Sequence, residues 1–383
     1  MSMQDLEQPV AEGATSALDK LYSPFPFGRR TLRNRIVMAP MTRNCSPNGV
    51  PGEAVAAYYA RRASGGAGLI VTEGTCIDHP AANGYRDVPA FHGAGLDGWE
   101  RVMRAVHAEG ALIVPQLWHV GAVRRRGMEP DPAVPGYGPT DEFENGERVV
   151  HAMTDEDIDA VAASYARGAR SAHALGFDGV EIHGAHGYLL DQFFWRESNR
   201  RDDQYGGTIA NRARFAAKVV AAMRAAVPAD FPIVFRFSQW KMTDYKARIA
   251  DDPEELGEVL RPLAAAGVDL FHASTRRFWE PAFEGSPENL AACARRVTGK
   301  PVIAVGSVGL AQQHETRRLR TRDNVGSEVA DLTRLRECLE RDDFDLVAVG
   351  RGMLADAQWA NKVRAGGVST LNALTPEMLQ VLT

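Results

Sequence analysis

Two histidines and a tyrosine lie close together in His183-Gly184-Ala185-His186-Gly187-Tyr188. Glycine and alanine between the imidazoles leave both rings room to point at one oxygen. Two N–H donors aimed at a carbonyl or nitro oxygen would stabilise the negative charge that grows there when a hydride adds to a conjugated double bond. Tyr188 carries a phenol that could hand a proton to the other carbon. Taken alone, the same spacing also fits packing histidines, or metal ligands joined by Glu181.

Further polar residues stand where apolar runs end. Arg236 follows Ile233-Val234-Phe235, and a guanidinium turned into apolar surroundings is costly unless something negative faces it. An electron-rich reduced flavin ring is one such partner and an internal salt bridge is another. Gly306-Ser307 and Gly350-Arg351 close two more runs. Glycine lets a backbone approach closely and arginine offers a fork that matches phosphate. Gln116 presents both a donor and an acceptor, as the edge of a flavin pyrimidine requires. Thr42 offers a hydroxyl to the reactive ring and Trp118 a wall for the pocket. Each of these three also has an ordinary structural reading, in a loop network, a cap or a core.

Such residues need a frame that brings strand ends together. Short apolar, β-rich runs centre on Ile36-Val37-Met38, Leu69-Ile70-Val71, Leu112-Ile113-Val114, Val180-Glu181-Ile182, Ile233-Val234-Phe235, Val268-Asp269-Leu270-Phe271, Val302-Ile303-Ala304-Val305 and Leu346-Val347-Ala348-Val349, each followed by a helical stretch. Their near-continuous apolarity suits parallel strands buried on both faces. Thr154 before Asp155-Glu156-Asp157 predicts a helix start, and Gly176 its stop. Asp252-Pro253-Glu254 predicts a second helix ended by Gly267, and Ser286-Pro287-Glu288 a third. The whole reads as an α/β fold, a single (β/α)8 TIM barrel with functional residues at the C-terminal strand ends; an open doubly wound sheet is the alternative.

Two segments are longer than ordinary connections. Residues from about His119 to Met153, rich in Gly and Pro, follow the third strand and predict a lid-like insertion or hairpin over the site. The stretch from about Leu310 to Gly326 contains Arg317, Arg318, Arg320 and Arg322. It reads either as a grip for the 2′-phosphate of NADPH or as a solvated basic loop. Residues 1–20 are expected to be a flexible arm and 21–383 the barrel.

Composition narrows the partners. A net charge of −5 gives no electrostatic reason to expect nucleic acid or an anionic membrane, which leaves a small molecule. The four cysteines have no zinc or iron–sulfur spacing, so no metal site is expected, and a reduced, cytoplasmic protein is the simplest reading. No apolar run reaches the ~20 residues that span a bilayer. The sequence leaves a homo-oligomer open.

From about Leu21 to Gly367 the chain resembles the Old Yellow Enzyme family of FMN-dependent ene-reductases. The matching stretches are Asn34 to Thr42, Gln116 to His119, His183 to Phe194, Asp202 to Arg212, and Val349-Gly350-Arg351. The resemblance implies FMN as cofactor, NAD(P)H as electron donor and an electrophilic alkene as substrate, with the two substrates alternating in a ping-pong mechanism. It implies that Thr42 tunes the flavin, that Gln116 and Arg236 contact its pyrimidine, and that Pro40, Met41 and Gly74 neighbour the ring. It makes Gly306, Gly350 and Arg351 the phosphate site, His183 and His186 the substrate-oxygen pair and Tyr188 the proton donor; Ser307 is expected beside the phosphate and Trp118 against the substrate. Where the family often has Gly-Gly after the seventh strand, this chain has Gly306-Ser307. The iron–sulfur cluster and second nucleotide domain of larger relatives are not expected. Two other readings remain: a metal-dependent barrel hydrolase using His183, His186 and Glu181, which gives Arg236, Gln116 and Gly350-Arg351 no role, and a non-catalytic flavin-binding barrel, which has no need of Tyr188.

Overall fold

The computed structural model describes residues 17–311 and 327–383. Residues 1–16 of the expected arm, and Arg317, Arg318, Arg320 and Arg322, lie outside the described residues. Eight parallel strands close into a barrel in sequence order: β1 (Ile36–Met38), β2 (Leu69–Cys76), β3 (Leu112–Trp118), β4 (Val180–His186), β5 (Ile233–Lys241), β6 (Leu270–Ser274), β7 (Val302–Val305) and β8 (Leu346–Val349). Around them run α1 (Glu53–Ser64), α2 (Gly95–Ala108), α3 (Asp155–Leu175), α4 (Ile209–Ala226), α5 (Pro253–Ala266), α6 (Leu290–Thr298), α7 (Thr333–Glu340) and α8 (Trp359–Arg364). Closure excludes the open sheet. None of the described helices is long and apolar enough to cross a membrane.

Alternation along each strand builds two cores. Outward residues such as Ile36, Ile70, Ile113, Ile182, Phe235 and Val347 meet the helices. Inward residues, among them Val37, Leu69, Val71, Val114, Val234, Leu270, Ile303 and Leu346, fill the barrel. Phe25, Phe27 and Leu32 join that inner core from an antiparallel hairpin (Phe25–Phe27 with Arg30–Leu32) just before β1. The N-terminal end of the barrel is thereby plugged, and the inner layer turns polar only toward the opposite end, at Gln116, Glu181, Arg236 and His272.

Local signals account for most boundaries. Asp157 N–H donates to Thr154 Oγ1 at 3.2 Å while Thr154 N–H donates to Asp157 Oδ2 at 2.9 Å, a reciprocal cap that starts α3, and Gly176 ends it at φ 97°. Asp252 caps α5 as predicted. Two boundaries differ. Helix α6 starts at Leu290, not at Ser286-Pro287-Glu288, because the Asn289 side chain accepts from Ala292 N–H and supplies the cap. Strand β6 starts at Leu270, because Asp269 Oδ2 accepts from Ile233 N–H and holds Val268-Asp269 as the lead-in. The first described element, a 3₁₀ turn at Ala17–Tyr22, begins inside the expected arm; its Leu21 is buried and its Lys20 pairs with Asp342.

Between β3 and α3 the insertion forms its own three-stranded sheet from Gly136–Gly138, Glu142–Glu144 and Glu147–Ala152. Its N-terminal portion, at Glu129, Pro130, Asp131 and Val134, lines a wide cleft of about 880 Å³ together with Cys76 at the end of β2 and His79, Tyr85 and Arg86 from the β2–α2 connection.

Candidate active site

The turn after β4 is built to hold an unusual backbone. His186 and Gly187 both have positive φ, 66° and 85°, a conformation that is strained for a histidine and fixed only by its surroundings. Gly187 N–H donates to Asp191 Oδ2 at 2.6 Å, and Asp191 Oδ1 accepts from Lys241 Nζ at 2.7 Å in a pair with no solvent exposure. Burial pulls Asp191 up and Lys241 down, and their mutual attraction opposes both shifts. Met242 N–H closes the clamp by donating to His186 O at 3.2 Å. The short helix Leu189–Phe194 then carries the chain away.

His183, His186 and Tyr188 are brought together by this turn. The two imidazole centroids are 5.1 Å apart with planes at 84°, and the Tyr188 ring lies 4.9 Å from His183. His183 Nδ1 accepts weakly from Ala185 N–H at 3.4 Å, leaving Nε2 without a protein partner. His186 Nε2 lies 2.8 Å from Ser274 Oγ, leaving Nδ1. Burial, reinforced for His183 by Arg236 and for His186 first by His183, holds both rings well below the usual imidazole range. They are neutral donors at pH 7. Tyr188 is pushed the other way by burial and by Tyr85, so its phenol keeps its proton.

These residues line one cavity with Pro40, Thr42, Gly74, Gln116, Trp118, Arg236 and Met242. Glycine is required at 74, since a Cβ there would stand 2.7 Å from the Trp118 ring. Trp118 stacks at 18° on Tyr85, whose hydroxyl is 3.2 Å from that of Tyr188. Met41 faces elsewhere, against Leu354, Ala355 and Leu374.

Beneath the histidines lies a chain of buried polar contacts. Gln116 Nε2 donates to Glu181 Oε1 at 2.7 Å, and Glu181 Oε2 is 2.6 Å from His272 Nδ1. The far side of His272, Nε2, is 3.5 Å from an Arg236 Nη, and the other Nη of Arg236 donates to Ser274 Oγ at 3.1 Å. Arg236 Nε is buried with no partner. Burial lowers the Arg236 pKa to about 10, against the pull of Glu181, and it remains a cation at neutral pH. Glu181 is thus turned to Gln116 and His272, not to the histidine pair. Among the described residues no cluster of three His, Cys, Asp or Glu side chains could hold a metal ion, and Glu181 does not join His183 and His186 as the hydrolase reading requires.

At the β7 and β8 ends the loops are drawn together differently. A Cβ on Gly306, at φ 150°, would meet Thr275 Oγ1 at 2.5 Å, so only glycine fits. Ser307 adopts φ 55° and donates from Oγ to Arg276 O at 2.8 Å. Gly350 caps the short helix Arg351–Ala355. Burial lowers Arg351, and neighbouring Arg276 lowers it further. Arg276 lies 4.1 Å over the Tyr245 ring. Among the described residues neither arginine has a carboxylate partner, so two cations share one place with no anion between them.

Sequence reading missed Tyr85, Met242, His272, Ser274 and Arg276, and took Glu181 only as a metal ligand. Strand-end position was the available signal for Ser274 and Arg276; nothing in the order of residues links His272 to Glu181.

Residues 20–325 match the model of the NADH:flavin oxidoreductase / NADH oxidase family. The chain is 31% identical over 380 residues to 12-oxophytodienoate reductase 7 of Oryza sativa subsp. japonica, covering 94% of this chain and 91% of that protein. To the putative 12-oxophytodienoate reductase 4 of the same plant it is 39% identical over 256 residues, 65% of this chain and 66% of that one. A structure of morphinone reductase in complex with tetrahydroNAD superposes with a TM-score of 0.77 at 30% identity, covering 94% and 93% of the two chains. The chain belongs to the NADH:flavin oxidoreductase / NADH oxidase family, the Old Yellow Enzymes, and is an FMN-dependent NAD(P)H oxidoreductase of the ene-reductase type.

Proposed function

We propose that this chain reduces the C=C bond of α,β-unsaturated carbonyl or nitro compounds in the cavity bordered by His183, His186 and Tyr188, with NAD(P)H and the alkene taking turns there. The observation that carries the reading is a single cavity with a fixed cation and amide on one side and two neutral imidazoles beside a protonated phenol on the other.

The residues present fit FMN. Among the described residues Arg236 has a buried Nε with no acceptor, and Gln116, whose Nε2 is engaged by Glu181, keeps its amide oxygen as the acceptor, so together they offer donors and an acceptor to the pyrimidine edge. Pro40, Thr42 and Gly74 neighbour the ring, and Met41, its side chain packed elsewhere, would offer it only backbone. Gly306, Ser307, Gly350 and Arg351 hold the phosphate, with Arg276 as a second cation. When bound there, FMN would supply the hydride chemistry that links NAD(P)H to the alkene.

The protein contributes position, charge and a proton. His183 and His186 donate to the substrate oxygen as neutral imidazoles and so stabilise the charge that develops there without having to titrate. Trp118 walls the pocket. Tyr188 hydroxyl gives its proton to the second carbon, and Tyr85, 3.2 Å away, is placed to donate to the phenolate left behind.

Replacing His183 and His186 together with Ala tests the assignment. Carbonyl-substrate turnover is expected to fall by about 10²-fold or more, as for a lost oxyanion donor, with FMN still bound. A double variant that loses its flavin, or that turns over enones at the wild-type rate, places the substrate oxygen elsewhere. Steady-state rates should give parallel double-reciprocal lines; intersecting lines with a ternary complex defeat the shared site.

A further inference from the structure

We propose that Glu181 and His272 are a positioning pair: through one carboxylate they set which face of the Gln116 amide and how much of the Arg236 charge reach the flavin. The inference rests on the reading that Gln116 and Arg236 face the pyrimidine.

The argument is one of donors and acceptors. Glu181 is fully buried, and an ionised carboxylate only accepts. The Gln116 atom 2.7 Å from it must therefore be the NH₂ nitrogen, and the amide oxygen is the atom left for a ligand. The second Glu181 oxygen, 2.6 Å from His272 Nδ1, requires a proton on that nitrogen. His272 Nε2 then carries a lone pair toward Arg236, which can only donate. One neutral imidazole thus separates an anion from a cation, and every proton on the path has a single place to be.

Charge states agree with that assignment. Burial would raise Glu181, yet the hydrogen bonds it accepts from His272 and Gln116 and the nearby Arg236 charge keep the carboxyl below its usual value, while burial holds His272 down toward neutral. The path continues from Arg236 through Ser274 to His186, so the flavin-facing and substrate-facing groups share one scaffold. The pieces come from different strands: Gln116 pairs with Glu181 across β3 and β4, and Arg236 with His272 across β5 and β6. None of this is visible in the motifs around His183 or Gln116.

Glu181→Gln tests the pair, because the amide keeps the shape of the side chain and offers only one acceptor. In refolded apoprotein titrated with FMN, the variant should bind roughly tenfold or more weakly, as when a hydrogen bond to a charged group is lost. Its flavin should also have a more positive reduction potential, since Arg236 loses its counter-anion. Adding Glu181→Gln to Gln116→Leu should weaken FMN binding no further than Gln116→Leu alone, because the carboxylate acts on affinity through that amide. In the wild-type holoprotein, nitrogen NMR should show His272 as the neutral Nδ1–H tautomer, a measurement that stands even if the variant folds poorly. The inference is overturned by an Nε2–H tautomer, or by unchanged affinity and potential in Glu181→Gln while Gln116→Leu changes both. If Gln116→Leu and Arg236→Leu also leave both quantities unchanged, it is the flavin-facing reading that fails.

Discussion

Tyr188 separates the two half-reactions. Flavin reduction by NAD(P)H moves a hydride alone, whereas reduction of an enone needs a hydride at one carbon and a proton at the other. Tyr188→Phe should leave the first step nearly unchanged and slow the second by about 10²–10⁴-fold, the range for a lost general acid. A nitroalkene should suffer less, because its nitronate product is stable enough to be protonated in solution. Stopped-flow traces of each half-reaction decide this; equal slowing of both would make Tyr188 a packing residue. At this scale the sequence was informative at most strand ends, though Ser274 and Arg276 stand at one and went unread. Cavity-lining Thr42, Gln116, Trp118, His183, His186, Tyr188 and Arg236 were all legible there. Glu181 and His272 were not, being 91 residues apart and neighbours only once the barrel closes.

Elements hold these side chains by devices that a propensity reading does not contain. The clamp from Lys241 through Asp191 to Gly187 keeps His186 in its left-handed conformation. Removing one member leaves an uncompensated buried charge, so Lys241→Met should cost about 3–5 kcal/mol of stability by denaturant titration. The double variant Lys241→Met with Asp191→Leu should recover part of that loss, yet keep impaired substrate binding because the turn is no longer fixed. Full recovery of both would show the pair to be a mere space-filler. Helix caps at Thr154 and Asp252 were readable because side chain and backbone meet within three residues. The start of β6 was not, since it depends on Asp269 accepting from Ile233 on a neighbouring strand. Likewise Ser286-Pro287 resembles a helix start, but Asn289 is the residue whose side chain accepts from the free Ala292 N–H in the first turn.

Across the whole molecule, a cofactor that binds only the closed barrel contributes to its stability. FMN at a hundred times its Kd should add about 2.7 kcal/mol, seen as a melting temperature that climbs with added FMN. Arg351→Ala removes one of two unpaired cations at the phosphate end, so the climb should require roughly ten- to a hundredfold more FMN. An unchanged dependence would move the phosphate elsewhere.

The hairpin of Phe25, Phe27 and Leu32 gives that barrel a floor. With that end closed, reactants reach His183 and products leave it from the C-terminal side of the barrel. Oxidised nicotinamide and saturated product then queue with the incoming reactants at the same threshold, and each lingering guest delays both callers. Crowding on that side would then shape how the enzyme responds when its own products accumulate.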